Sequence, residues 1–206
     1  MKNSLKIAVL PIMFAGNVSA ATISYYLNQS NDLLNGIDYA QVTISDGFDG
    51  DIDFSVEVIS SAFSVSPDAN FGLQTFSFNY DPSLAISSSN IIINDPSQWK
   101  ISKNANAGGG FGKFDYKLSG KGSSRTEILD FSITGISDDS IFDYAIGSDL
   151  KPASGEYFAA HIAGFDQINS VTSAQFAGSS VVPVPAAIWL FTSGLIALSG
   201  LARLRK

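Results

Sequence analysis

Residues 51–58, Asp-Ile-Asp-Phe-Ser-Val-Glu-Val, alternate polar and apolar side chains along their whole length. A period of two is what an antiparallel strand needs when one face lies on the core and the other in water. The stretch therefore predicts a half-buried strand, with Ile52, Phe54, Val56 and Val58 directed inward.

Eight further segments have strand character, and turn formers separate them at a spacing of roughly ten residues. They are 22–27, 39–45, 76–80, 83–93, 112–118, 128–134, 157–162 and 171–176. Nine short strands predict an all-β fold, a single β-sandwich of jelly-roll or immunoglobulin-like type. The glycine-rich run 105–110 is predicted to be a long loop.

The amino-terminal end has the pattern of a secretory leader. Lys2 and Lys6 precede an apolar stretch at 7–14, and small residues follow up to Ala20. This order predicts a Sec signal peptide over 1–20, with cleavage between Ala20 and Ala21.

The carboxy-terminal end predicts a transmembrane helix. Residues 181–202 include no charged side chain, and 22 helical residues reach about 33 Å, enough for a bilayer core. Arg203, Arg205 and Lys206 follow directly, and clustered cations beside a span mark its cytoplasmic side. The region before the span is thus expected to be exported.

A proline motif, Val182-Pro183-Val184-Pro185-Ala186, precedes this apolar run and its basic end. In this order the features resemble the sorting signal of PEP-CTERM proteins, in the variant whose motif reads Val-Pro-Leu-Pro-Ala. Val184 stands where the eponymous motif has Glu.

The resemblance implies a Gram-negative bacterium and an exosortase as partner. It also implies transient or permanent anchoring in the inner membrane, cleavage near the motif, and delivery to the cell surface or extracellular matrix. The expected organisation is a signal peptide (1–20), a β-sandwich (21–176), a linker (177–182) and a sorting signal (183–206).

The net charge and the lack of cysteine in the expected exported region exclude several classes of function. Between residues 21 and 180 there are nineteen acidic and seven basic residues, a net charge of −12. Such a surface repels polyphosphates, so nucleic acid is not expected as a partner. The chain has no cysteine, which excludes disulfides, thiol catalysis and cysteine-based metal sites.

An acidic segment is the one candidate metal site. Asp46, Asp49, Asp51 and Asp53 supply four carboxylates with two glycines among them, and Ca²⁺ prefers oxygen ligands on flexible loops. The spacing does not match an EF-hand. The alternative is that Asp51 and Asp53 face solvent on a strand, where charges protect a sheet from aggregation. No other cofactor is expected.

No pattern marks an active site. His161 is the only histidine, and no Gly-x-Ser-x-Gly elbow accompanies it. Glu57, Glu127 and Glu156 are the only glutamates that could form a carboxylate pair. Trp99, the one tryptophan before the tail, could provide a face on which a sugar stacks.

We therefore expect a non-enzymatic surface or matrix protein that interacts with exopolysaccharide or other matrix proteins. One alternative is a carbohydrate- or protein-binding module, since residues 76–84 are similar to a strand and turn of cohesin-like domains. The other is a secreted polysaccharide hydrolase. Clustered aromatics on a concave face would favour the binding module, and two carboxylates about 5–10 Å apart would favour the hydrolase.

Overall fold

The fold is all-β, as predicted. A computed structural model describes residues 21–66, 69–95, 97–147 and 155–181. Within these ranges the chain forms twelve strands in two antiparallel sheets, joined in part by short 3-10 turns. None of the described residues belongs to a helix with the length and apolarity of a membrane span. The predicted signal peptide and sorting signal lie outside these ranges.

Each sheet contains six strands. Sheet I has the order β12-β1-β3-β4-β9-β6. Its strands are β1 (Thr22–Leu27), β3 (Ala40–Asp46), β4 (Ile52–Val58), β6 (Ile91–Ile93), β9 (Ile128–Ile133) and β12 (Ser180–Val181). Sheet II has the order β2-β11-β10-β5-β8-β7. Its strands are β2 (Gln29–Ser30), β5 (Gly72–Phe78), β7 (Trp99–Asn106), β8 (Lys113–Gly120), β10 (Phe158–Ile168) and β11 (Val171–Gly178).

The alternating segment at 51–58 becomes β4, an inner strand of sheet I. It pairs with β3 on one side and β9 on the other. Its four apolar side chains are at most 2% exposed, which confirms the predicted register. The residues between them face outward because successive side chains of a strand alternate between faces.

Aromatic rings join the two sheets. Phe54 stacks on Phe131 of sheet I at 4.6 Å between ring centroids and meets Phe78 of sheet II at 5.5 Å. Tyr25 of sheet I contacts Phe158 of sheet II at 5.4 Å. The two sheets thus share one aromatic core, an arrangement consistent with a β-sandwich.

The strand predicted over 83–93 is wrong for most of its length, because only Ile91–Ile93 forms a strand. Local hydrogen bonds hold the preceding residues in turns: the Ser83 amide donates to Asp81 Oδ1 at 2.8 Å. The Ser87 amide donates to Asn90 Oδ1 at 2.9 Å, which closes a capping box on a 3-10 turn. Side chains of this kind offer the backbone an alternative to a sheet.

The predicted loop at 105–110 begins later than expected, because the unpredicted strand β7 continues through Asn106. The following turn folds back across the outer face of sheet II, where Ala107 and Phe111 join a small buried cluster with Ala159 and Ala177. A Cβ on Gly109 would lie 2.6 Å from Gln175 Cβ. The glycines therefore allow the loop to lie flat on the sheet.

The carboxy-terminal strands extend past the expected domain end at 176. β11 continues to Gly178, and β12 places Val181 opposite Tyr25 at the edge of sheet I. A Cβ on Gly178 would lie 2.0 Å from the Tyr26 carbonyl oxygen, so the chain crosses between the sheets at a point of close backbone contact. The first residues of the expected linker are thus part of the fold.

Candidate functional site

The four aspartates of the predicted metal site lie around the β3–β4 connection, and two already have partners. Asp46 Oδ2 accepts a hydrogen bond from the Ala21 amide at 2.8 Å. Asp53 Oδ1 accepts one from Ser132 Oγ at 2.5 Å.

The other two lie on the turn itself: Asp49 has φ 54° inside a 3-10 turn, and Asp51 begins the return to β4. Among the described residues no group of three or more His, Asp or Glu side chains could hold a metal ion. Calcium binding here stays a prediction.

His161 lies on β10 between Thr75 of β5 and Gln175 of β11. Burial lowers the pKa of its imidazole, and the nearby positive charges of Arg125 and Lys117 lower it further. It is thus a partly buried strand residue among cations, which suits neither general-base catalysis on a serine nor a metal site.

Two of the three glutamates, Glu57 and Glu127, lie near each other at one end of the β4–β9 pair, since Glu57 pairs with Ile128 and the Val58 amide donates to the Glu127 carbonyl oxygen. Glu57 is exposed on β4, and Glu127 accepts a hydrogen bond from Ser60 Oγ. Glu156 is 8% exposed and accepts a hydrogen bond from Gln29 Nε2. Glu156 thus has a structural role at the end of β10.

Trp99 is the first residue of β7, an edge strand of sheet II. A short connection joins β7 to β6, which is an edge strand of sheet I. The Trp99 ring is partly buried against the core. On one side it borders a hollow of about 330 Å³, lined mainly by polar residues of this connection and of β9. Asn94, Gln98 and Asp130 supply amide and carboxylate groups there.

A second hollow, of about 360 Å³, lies on the other side of the indole. Lys100 and Lys121 line it, together with backbone and hydroxyl groups near the β8 end. Three carbons of the indole lie 3.2–3.3 Å from the position that a Cβ on Gly120 would occupy. Because Gly120 has no side chain, the ring can lie across the strand there.

A third hollow, of about 390 Å³, continues from Asn94 and Asp130 over the outer face of sheet I. Its floor consists of outward-facing hydroxyls and carboxylates of β3, β4 and β9, including Ser45, Asp53 and Ser132. The register puts Asp53 opposite Ser132. Asp53 and Asp130 are therefore diagonal neighbours, and their Cα atoms are about 7 Å apart.

The three hollows adjoin one another through shared lining residues and form one shallow surface, which we call the Trp99 groove; Trp99 lies between the first and the second hollow. An aromatic face flanked by amides, hydroxyls and charges suits a sugar ring, which stacks through C–H groups and hydrogen-bonds through its hydroxyls. Sequence reasoning identified Trp99 as a possible stacking residue. It missed the groove because the lining residues come from distant strands.

Comparison of the chain with protein-family models, with curated proteins and with solved structures gives no match.

Proposed function

We propose that the chain is an exported, exosortase-sorted protein of a Gram-negative cell surface or extracellular matrix. Its β-sandwich, of jelly-roll or immunoglobulin-like type, has a non-enzymatic role in binding matrix polysaccharide. The support for export is the leader at 1–20 and the motif Val182–Ala186 with its apolar run and basic end. The support for polysaccharide binding is the Trp99 groove.

The Trp99 groove is the observation that carries the binding role. It is open and shallow, as a long polymer requires, and paired strands supply most of its lining. We expect Trp99→Ala to release the exported protein from the cell-surface matrix into the medium. Phe142→Ala is the matched control, because Phe142 is an aromatic residue that is 63% exposed and lies outside the groove.

The readout is the fraction of protein that stays with cells after washing, measured by immunoblot. Since Trp99 also packs on the core, the unfolding temperature of each variant is measured alongside. Equal retention of the Trp99→Ala protein and the parent would contradict the binding role. A destabilised variant is replaced by Trp99→Leu, which keeps an apolar contact with the core and removes the aromatic face.

Processing is tested separately from binding. In a host with an exosortase, mass spectrometry should find Ala21 at the amino terminus and no residue well beyond Val182. Recovery of intact Lys206 from the surface form would contradict sorting, although a permanent membrane anchor would agree with it.

A second candidate function is hydrolysis of polysaccharide by Asp53 and Asp130. The observation that favours it is that the two residues are diagonal neighbours on one face of sheet I, because glycosidases act through two carboxyl groups that flank the same sugar bond. Release of reducing sugar by the parent protein but not by an Asp130→Asn variant would support this reaction, and no release from either would exclude it for the polymer used.

A further inference from the structure

Positive charge in the exported region is concentrated in one segment. Residues 100–125 contain six of the seven basic residues between 21 and 180, and Asp115 is the only acid among them. The segment has a net charge of +5 in a region whose total is −12.

The fold brings half of these cations to the outer face of sheet II. Lys100 on β7 pairs with Ser119 on β8. Lys117, Asp115 and Lys113 precede Ser119 by two, four and six positions, so the three lysines share one face, with Asp115 between two of them. Thr75 links this row to His161, since it pairs with both Ser119 and His161.

The turn after β8 adds two more cations beside this face. Lys121 is exposed and lines the hollow next to Trp99. The Arg125 guanidinium donates to Gln74 Oε1 at 3.2 and 3.3 Å and to the Asn70 carbonyl oxygen at 2.8 Å. We call Lys100, Lys113, Lys117, Lys121 and Arg125 the basic face.

Protection of an edge strand accounts for only one of the five residues of the basic face. Lysines on an edge strand such as β7 prevent pairing with other sheets, which would account for Lys100 alone. Lys113 and Lys117 lie on β8, an inner strand, and Lys121 and Arg125 lie beyond its end. Lys117 is also partly buried, with Nζ donating to the Asn106 carbonyl oxygen at 2.9 Å. Burial lowers the pKa of this lysine, so a bound anion would favour its charged form.

We propose that the basic face binds a carboxylate-bearing sugar polymer that also reaches the hollow beside Trp99. The carboxylates of such a polymer would pair with the exposed ammonium groups of Lys100 and Lys121. The acidic remainder of the domain, including Asp53 and Asp130 in the other two hollows of the Trp99 groove, repels the polymer. It so confines the polymer to the basic face and to the hollow that Lys100 and Lys121 line. The inference deepens the proposed polysaccharide role, on which it rests, by naming the charge of the polymer.

Affinity electrophoresis of the full chain in mild detergent tests this assignment. Alginate, a polymer of uronic acids, and dextran, a neutral glucan, are the probes. We expect alginate to retard the protein at low salt and dextran to leave it unaffected, with the alginate effect lost at about 0.5 M salt because screening shortens the range of charge interactions.

Two lysine variants locate the site. Lys100→Gln/Lys121→Gln should weaken alginate binding about fivefold, as expected for the loss of two exposed charge contacts. Lys103→Gln is the matched control on the same strand, because Lys103 Nζ lies 5.2 Å from the Tyr116 ring centroid and donates to the Ile86 carbonyl oxygen, away from this face. Lys113→Gln serves as a further variant if the double variant is destabilised.

Each contrary result has a distinct meaning. No retardation by alginate, or equal retardation by dextran, would overturn the anionic assignment, and binding of dextran would leave the proposed polysaccharide role standing. Competition by duplex DNA as strong as by alginate would show a general polyanion site instead of a sugar site. Salt-dependent self-association that the double variant loses would assign the face to a second copy of the chain.

Discussion

Phe54 and Ser55 are neighbours on β4 with opposite surroundings. The Phe54 ring is 2% exposed and contacts rings from both sheets and from the Ile141–Tyr144 turn. Ser55 faces outward, opposite Asp130 of β9. Truncation of Phe54 should therefore lower the free energy of unfolding far more than truncation of its neighbour Ser55.

We expect Phe54→Ala to lower the free energy of unfolding by about 3–5 kcal/mol, because it leaves a cavity among aromatic rings. Ser55→Ala is the control on the outward face and should change it by less than about 0.5 kcal/mol. Urea unfolding followed by far-UV circular dichroism measures both values. Similar losses in the two variants would contradict the register.

His161 is expected to make stability depend on pH. Because burial and the charges of Arg125 and Lys117 lower its pKa in the folded state, the unfolded chain binds a proton more readily. The free energy of unfolding should then be fully maintained above about pH 6.5 and should fall as the pH drops below that value.

His161→Gln removes this titration, so its free energy of unfolding should fall less between about pH 7.5 and 5.5 than that of the parent. Urea titrations at several pH values in this window compare the two proteins, and a window above about pH 5 avoids most carboxylate titration. Parallel curves would show that His161 does not contribute.

Among the elements, β10 illustrates how close backbone contacts shape the sheets. Gly164 has φ +89°, and a Cβ there would lie 2.1 Å from the Asn70 carbonyl oxygen. The strand is irregular at this point, where the register with β11 shifts after Ala163. No side chain could occupy the position without moving the neighbouring backbone.

Gly164→Ala should therefore destabilise the fold more than a positive φ alone can explain. Gly110→Ala is the matched control, because Gly110 has φ +86° with no atom within 4 Å of the place where its Cβ would be added. The control should cost about 1–2 kcal/mol for left-handed backbone, and Gly164→Ala clearly more. Thermal unfolding ranks the two variants, and the reverse order would contradict the close contact.

Alternation did not predict all strands equally well. The alternating segment 76–80 covers only the end of β5 (Gly72–Phe78), whereas 22–27, which alternates less strictly, coincides with β1. β4 was predicted almost to the residue because its inward and outward environments differ sharply. β6 and the turns before it were not predicted correctly. The reason is that Ser87 and Asn90 form local hydrogen bonds in a segment that is rich in isoleucine and serine. The Trp99 groove depends on which strands are neighbours across the two sheets, and no local pattern of residues encodes that order. The basic face, in contrast, comes from the single segment 100–125, whose positive charge is visible in the sequence.

The whole molecule has an uneven charge distribution. The outer face of sheet I carries Asp53, Glu57 and Asp130, whereas the outer face of sheet II carries the basic face. The net charge of residues 21–180 is nevertheless strongly negative, so repulsion between acidic groups opposes folding.

Added salt should thus stabilise the protein by screening, and calcium should do no more than sodium at matched ionic strength. The reason is that Asp46 and Asp53 already have hydrogen-bond partners and the four aspartates of the predicted metal site do not converge. Unfolding temperatures in the two salts, with and without EDTA, check this. A larger shift in calcium that an Asp49→Ala/Asp51→Ala variant loses would establish a metal site.

The pairing of β12 with β1 has a mechanical consequence. β12 contacts β1 at only two positions, and it runs antiparallel to β1, so the chain leaves it toward the end that holds Ala21 and Asp46. If the following segment is a tether, flow over the cell pulls on the domain through this short strand. β12 would then peel away before any longer strand yields, and the load would pass to β11, which pairs with β10 at seven positions.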